Sequence, residues 1–183
     1  MAPQADYLEF DDQLVDFAVA AFQEDERWAA VGLPPHVTES LDTFLFALRQ
    51  QVSEGPTLGL AGLGDAYFVA VRLVGRDERL FLSDAAAAAD DRIAGELVGR
   101  LDPGRERPPD EGTPFGDQEI FADLGLGAME LAAMCERLQF ERDLRVRDAV
   151  GAIAARIGFG EQFAQAARRE GEEEDVRDDG WRA

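Results

Sequence analysis

The sequence predicts an α+β fold: a mainly antiparallel sheet of about five strands with one or two helices packed on it, followed by a C-terminal helical subdomain. Three observations predict it. Between residues 14 and 82, apolar segments with strand patterning are separated by short turn-forming punctuation; one amphipathic helical stripe interrupts them near residues 41–52; and beyond residue 117 the apolar periodicity becomes helical throughout.

The first element is the run "LVDFAVAAFQEDERWAAVGL", in which two apolar segments flank the polar stretch Gln23 to Arg27, and Phe17, Val19 and Ala21 alternate at period two. That is a hairpin pattern. After Pro34 and Pro35, the residues Leu41, Phe44, Leu45, Leu48 and Val52 recur at helical spacing, with Thr38 or Ser40 as N-cap and Gly55 as the stop. Three strands follow in "TLGLAGLGDAYFVAVRLVGRDERLFLSD", divided at Gly64-Asp65 and at Gly75-Arg76-Asp77. The middle one alternates Tyr67, Val69, Val71 and Leu73 with Phe68, Ala70, Arg72 and Val74, so both faces are largely apolar and the strand should be central and covered on both sides. A second helix is expected to begin near Asp84, because Ala85 to Ala89 have high helix propensity and Ile93, Leu97, Val98 and Leu101 form one stripe.

Residues 102–117, "DPGRERPPDEGTPFGD", hold four prolines and are read as a flexible linker or a long surface loop. This divides the chain into a sheet domain (residues 14–101), the linker, a helical subdomain (residues 118–168) and an acidic tail (residues 169–183), which is expected to be disordered. In the helical part, Leu131, Met134, Cys135 and Leu138 form one stripe. Val146, Val150, Ile153, Ala154 and Ile157 form another. Gly158 is suited to a left-handed cap and Phe159 to the packing contact beyond it.

Charge narrows the function. The 183 residues carry 38 acidic side chains against 18 basic ones, all arginine, for a net charge of -20. Such a field repels phosphate backbones, so direct nucleic-acid binding is not expected, and a basic partner is favoured. One cysteine allows no internal disulfide, the first dozen residues lack a secretory pattern, and no apolar run reaches membrane-spanning length, so a cytoplasmic location is expected. His36, the single histidine, sits at a helix start and reads as a surface or capping residue. With one histidine and one cysteine the usual zinc ligand sets cannot be assembled, and no catalytic, cofactor-binding or metal-binding residue is assigned. Cys135 lies on an apolar stripe beside Glu136 and Glu130, a setting that disfavours a thiolate. The segment "GLAGLGDAY" lacks the G-x-G-x-x-G spacing and precedes a strand, so no nucleotide fold is expected.

Three segments in order, "YFVAVRLVGRDERLFLSDAAAA", "FADLGLGAMELAAMCERL" and "AVGAIAARIGFGEQF", resemble the tRNA adenosine deaminase-associated proteins of high-GC Gram-positive bacteria. The motifs that carry the likeness are Phe81-Leu82-Ser83-Asp84-Ala85, Phe121-Ala122-Asp123-Leu124-Gly125, Cys135 and Gly158-Phe159, across roughly residues 14–167. The resemblance implies association with a tRNA-modifying deaminase and carries no catalytic residue onto this chain. Nor can the chain itself be a zinc-dependent nucleobase deaminase, which needs His-x-Glu and Pro-Cys-x-x-Cys; here Val37-Thr38-Glu39 follow His36 and Cys135 stands alone.

The leading expectation is therefore a non-enzymatic acidic interaction protein whose basic partner is a tRNA adenosine deaminase. Its partner-binding residues are assigned to Trp28 at the hairpin exit and to Asp84, Asp90 and Asp91. Bland roles stand beside these: edge-strand core for Trp28, helix capping for Asp84, solvated surface charge for Asp90 and Asp91. Two further readings are an immunity- or inhibitor-type protein for another basic partner, and a carboxylate and arginine enzyme in which Arg72, Arg76 and Arg79 face Asp84.

Overall fold

The computed structural model describes residues 14–107 and 110–168. The acidic tail expected at residues 169–183 lies outside the described residues, as do the first thirteen. Among the described residues, six strands form one antiparallel sheet in the order β2-β1-β3-β4-β5-β6. The strands are β1 (Val15–Glu24), β2 (Arg27–Gly32), β3 (Thr57–Leu63), β4 (Tyr67–Val74), β5 (Asp77–Leu82) and the two-residue β6 (Phe115–Gly116). The helices are α1 (Leu41–Arg49), α2 (Arg92–Leu101), α3 (Ala128–Phe140), α4 (Val146–Ile157) and α5 (Gly160–Ala166).

Alternation along the strands builds two cores. Phe17, Val19, Leu58, Leu60, Phe68, Ala70 and Phe81 point to one face and meet Leu131, Val146, Val150, Ile153, Phe159 and Phe163 of the α3–α5 layer. Ala18, Ala20, Ala61, Leu63, Val69, Val71, Leu80 and Leu82 point to the other and meet Phe44, Leu45, Leu48, Ile93 and Leu97 of α1 and α2. The central position of β4 follows from this: a strand apolar on both faces is stable only when helices cover both. The helices of residues 118–168 thus form the second layer of the sheet's own core.

Two glycines in β3 let the layers approach. A Cβ at Gly59 would lie 2.4 Å from Leu48 Cδ1, and one at Gly62 would lie 2.5 Å from the Phe17 ring, so neither position has room for a side chain.

Three details depart from the expected elements. The alanine run forms a 3-10 turn, Ala85–Ala89, and α2 starts only at Arg92, because Asp91 adopts an extended conformation (φ -112, ψ 126) that interrupts the helix. Helix α1 ends at Arg49, which leaves Val52 beyond the stripe and 85% exposed. The segment 102–117 contributes the sixth strand, with Phe81 opposite Gly116 and Leu82 opposite Phe115. By contrast, the cap at the end of α4 forms as the residue pattern predicts. Gly158 is left-handed (φ 117), the Gly158 and Phe159 amides both donate to the Ala154 carbonyl at 2.9 Å, and Phe159 is fully buried.

Candidate partner-binding surface

The β5–α2 joint is assembled from backbone-directed polar contacts. The Ser83 hydroxyl accepts the Phe68 amide at 2.9 Å and the Ser83 amide donates to the Phe68 carbonyl at 3.0 Å, which extends the strand pairing into the joint. Asp84 is the N-cap of the 3-10 turn, as its residue type and position predict. Its Oδ1 accepts the Ala86 amide and the Gly112 amide, each at 3.0 Å, while the Ala85 amide donates to the Thr113 carbonyl at 2.9 Å. One carboxylate oxygen therefore serves two backbone donors and ties residues 112–113 to the sheet. Asp84 is half-buried and occupied by these contacts.

Asp90 is exposed and Asp91 is half-buried. Burial raises the Asp91 carboxyl above the ordinary carboxylate range, a hydrogen bond with Tyr67 acts against that, and the neighbouring Asp90 charge adds to it. The joint thus brings Asp84, Asp90 and Asp91 into one stretch of chain at the edge of the α1/α2 layer. Trp28 is elsewhere. It sits in β2, half-buried, with its ring centroid 5.1 Å from that of Phe159, and it packs on the α3–α5 core.

On the α1/α2 layer the arginines are matched to carboxylates. Arg49 pairs with Glu78, Arg100 lies 3.1 Å from Asp42 and 3.6 Å from Glu78, and Arg92 pairs with Glu96 at 2.8 Å. Glu96 also accepts the Leu41 amide at 2.7 Å, linking α2 to the start of α1. Residues 14–127 nevertheless hold twenty-one acidic side chains and nine arginines, so the pairing leaves this part of the molecule strongly negative.

Arg72 and Arg79 are cross-strand partners in β4 and β5, on the face toward α3–α5. Arg72 is buried; its Nη1 donates to the Ile120 carbonyl at 2.9 Å and its Nη2 to Asp123 Oδ2 at 2.7 Å, in a fork that also engages Oδ1. The guanidinium beside it holds the Asp123 carboxyl down at about 2. Arg79 pairs with Asp117 and donates to the Glu119 carbonyl at 3.0 Å. These two arginines hold residues 117–123 against the sheet, and Arg76 is exposed at the β4–β5 turn. The arrangement in which Arg72, Arg76 and Arg79 face Asp84 is not formed: Asp84 is bound to backbone amides, and the carboxylates facing Arg72 and Arg79 are Asp123 and Asp117.

His36 is exposed in the 3-10 turn Pro35–Glu39. Cys135 is buried on the sheet-facing side of α3, and burial pushes its thiol up to about 12. Among the described residues, no group of three or more His, Cys, Asp or Glu side chains is gathered to hold a metal ion. A shallow cavity of about 380 Å³ opens between Leu14, Gly64 and the start of α4. Three of its charged groups are engaged with one another or with backbone: Asp16 accepts the Asp65 amide at 2.6 Å, and Asp65 accepts the Val146 amide at 2.9 Å and pairs with Arg145 at 3.3 Å.

Residues 16–160, from the second residue of β1 to the first of α5, match the model of the Rv3753c-like tRNA adenosine deaminase-associated protein family. The chain belongs to this family. It is 35% identical over 160 residues to Protein Rv3753c of Mycobacterium tuberculosis (strain ATCC 25618 / H37Rv), an alignment that covers 85% of this chain and 89% of that one. No solved structure matches. The range matched by the family model contains nearly all of β1, strands β2 to β6, helices α1 to α4 and the Gly158–Phe159 cap. No described helix is long and apolar enough to cross a membrane.

Proposed function

We propose that the protein is a cytoplasmic, non-enzymatic interaction module that binds a tRNA adenosine deaminase through a basic surface of that enzyme. Membership in a family described as tRNA adenosine deaminase-associated is the observation that carries the reading. The charge supports it: an excess of acidic residues over the sheet and the α1/α2 layer is complementary to the arginine- and lysine-rich surface by which a tRNA-binding enzyme neutralises phosphates. Asp90 and Asp91, at the edge of that layer, are its contact residues, with Asp84 holding the joint that presents them. The arginines that an arginine and carboxylate mechanism would use are instead spent on holding residues 117–123, which favours a binding role over a catalytic one.

Co-purification of the two proteins across a salt series tests this. A complex at about 0.05 M salt that weakens steeply by about 0.5 M is expected, because rim charges act through screened electrostatics. Absence of a complex at low salt refutes the proposal. Asp90→Asn with Asp91→Asn is expected to weaken the complex and to reduce its salt dependence, since removing rim charges lowers the association rate most.

A further inference from the structure

The two edges of the sheet differ. At the β5 edge, β6 pairs with Phe81 and Leu82, and the Asp117 amide donates to the Leu80 carbonyl at 2.8 Å. At the other edge lies β2. The Asp25-Glu26 turn that leads into it has positive φ at both residues (48 and 61), the two-residue hairpin geometry in which Glu24 and Arg27 close the ladder as a hydrogen-bonded pair. Bonded and non-bonded pairs alternate from there. The backbone groups of Ala29 and Val31 therefore face β1, and those of Trp28, Ala30 and Gly32 face outward. The Leu33 amide, which donates to the Ala18 carbonyl at 2.7 Å, fits this phase. Among the described residues the outward groups have no hydrogen-bond partner. The usual protections of an edge are missing too: Trp28 to Gly32 holds no proline and no charge, and its register with β1 runs without a bulge.

We infer that this edge is a docking site for an extended basic segment of a partner protein, which adds as a seventh strand on the outward groups of Trp28, Ala30 and Gly32. The inference is independent of the deaminase reading, since β2 lies across the sheet from β5 and from the Asp84 joint that follows it. The Trp28 ring belongs to the core, but its backbone is open.

Backbone chemistry fixes the form of the occupant, because a row of free amides and carbonyls is matched by another extended chain. Charge fixes its sign. Glu24, Asp25 and Glu26 stand exposed at one end of the row, and Glu54 joins them by accepting the Asp25 amide at 3.2 Å. Arg27 is the one basic residue of the hairpin end, and among the described residues none of these five side chains is in an ion pair. Glu26 sits at φ 61, where glycine is the favoured residue, so the turn itself does not call for its carboxylate. The chain's own candidates have the wrong sign. Residues 1–13 carry four acidic residues and no basic one, residues 169–183 carry seven against three arginines, and a second copy brings a net charge of -20.

Amide hydrogen exchange of the whole chain, read residue by residue by NMR at about 0.05 M salt, tests the inference. The probe is an alternating Lys-Val peptide of about ten residues, long enough to span β2, and the control is its Glu-Val counterpart. In the free chain the Trp28, Ala30 and Gly32 amides should exchange fast and those of Ala29 and Val31 slowly. The Lys-Val peptide at about 1 mM should slow the three outward amides, and the Glu-Val peptide should not. Ala30→Pro removes one outward amide at a position where an edge strand tolerates proline, and should weaken binding about tenfold. Asp25→Asn with Glu26→Gly installs the favoured turn pair, keeps the fold, and should weaken binding about threefold while flattening its salt dependence. If Ala30→Pro loses its thermal midpoint, the wild-type exchange pattern and the turn variant decide. Outward amides already slow in the free chain overturn the inference, because the chain's own segments or a second copy then hold the edge. Equal protection by the Glu-Val peptide overturns it as well, and so do outward amides that stay fast with the Lys-Val peptide.

Discussion

The two helical layers cover the same sheet by different means. The α1/α2 layer is attached by aliphatic stripes and one phenylalanine, and its rim is a set of solvent-accessible ion pairs among Arg49, Glu78, Arg100, Asp42, Arg92 and Glu96. The α3–α5 layer is attached by aromatic contacts. Phe17 meets Phe163 edge to face at 5.2 Å and Trp28 meets Phe159 at 5.1 Å, and the residues leading into the layer are held by the buried Arg72. Acidic residues are in excess over residues 14–127, which hold the sheet and the first layer, and balance the arginines over residues 128–168. The physical consequence is a division of labour: a layer whose charges sit at its rim can vary them cheaply, whereas a layer anchored by a buried cation cannot.

Three substitutions would break or sharpen this contrast. The largest effect is expected at Phe159, where truncation to alanine removes a fully buried ring from the junction of α4, α5 and β2; a loss of about 3–5 kcal/mol in urea unfolding is expected. Asp123→Ala leaves the buried Arg72 guanidinium with only the Ile120 carbonyl. Breaking a buried pair costs about 3–5 kcal/mol, but the Asp123 side chain is 64% exposed, so about 2 kcal/mol is expected after allowance for solvent screening.

The pH dependence of that second variant has a definite sign. The folded Asp123 carboxyl titrates at about 2, below its ordinary 3.8, so its contribution is complete above about pH 4 and is lost as the pH falls toward 2. The stability difference between the wild type and Asp123→Ala should therefore shrink across that window in urea titrations at fixed pH. A difference that stays constant would show that the ion pair is not what anchors the layer. The smallest effect belongs to the other layer. Arg100→Gln removes exposed contacts to Asp42 and Glu78 and should cost less than about 1 kcal/mol, an amount that falls further in high salt.

Much of the frame was legible before any coordinates. The hairpin around Gln23 to Arg27, the three strands divided at Gly64-Asp65 and Gly75-Arg76-Asp77, the Ser40 cap and the Gly158 cap all depend on residues close in sequence, and local rules describe them. The alanine run reads as the start of a helix because propensity alone does not register the extended Asp91. The sixth strand was hidden in a proline-rich segment because two residues carry no periodicity. Asp84 was legible as a cap, yet its second bond, to the Gly112 amide, spans 28 residues and left no local signal.

Residue order by itself determined the antiparallel sheet, the two-sided apolar character of β4, the helical C-terminal part and the absence of a zinc-deaminase ligand set, because each is a matter of residue type and short-range period. Tertiary structure alone decided that the C-terminal helices close the second face of that sheet, that Trp28 stacks on a ring 131 residues away, and that Arg72 is buried against Asp123. Those outcomes depend on which apolar faces meet once the chain collapses. A strand that buries both faces must find cover on both, and only the assembled layers show which helices provide it and which face, that of α3, is left open to solvent.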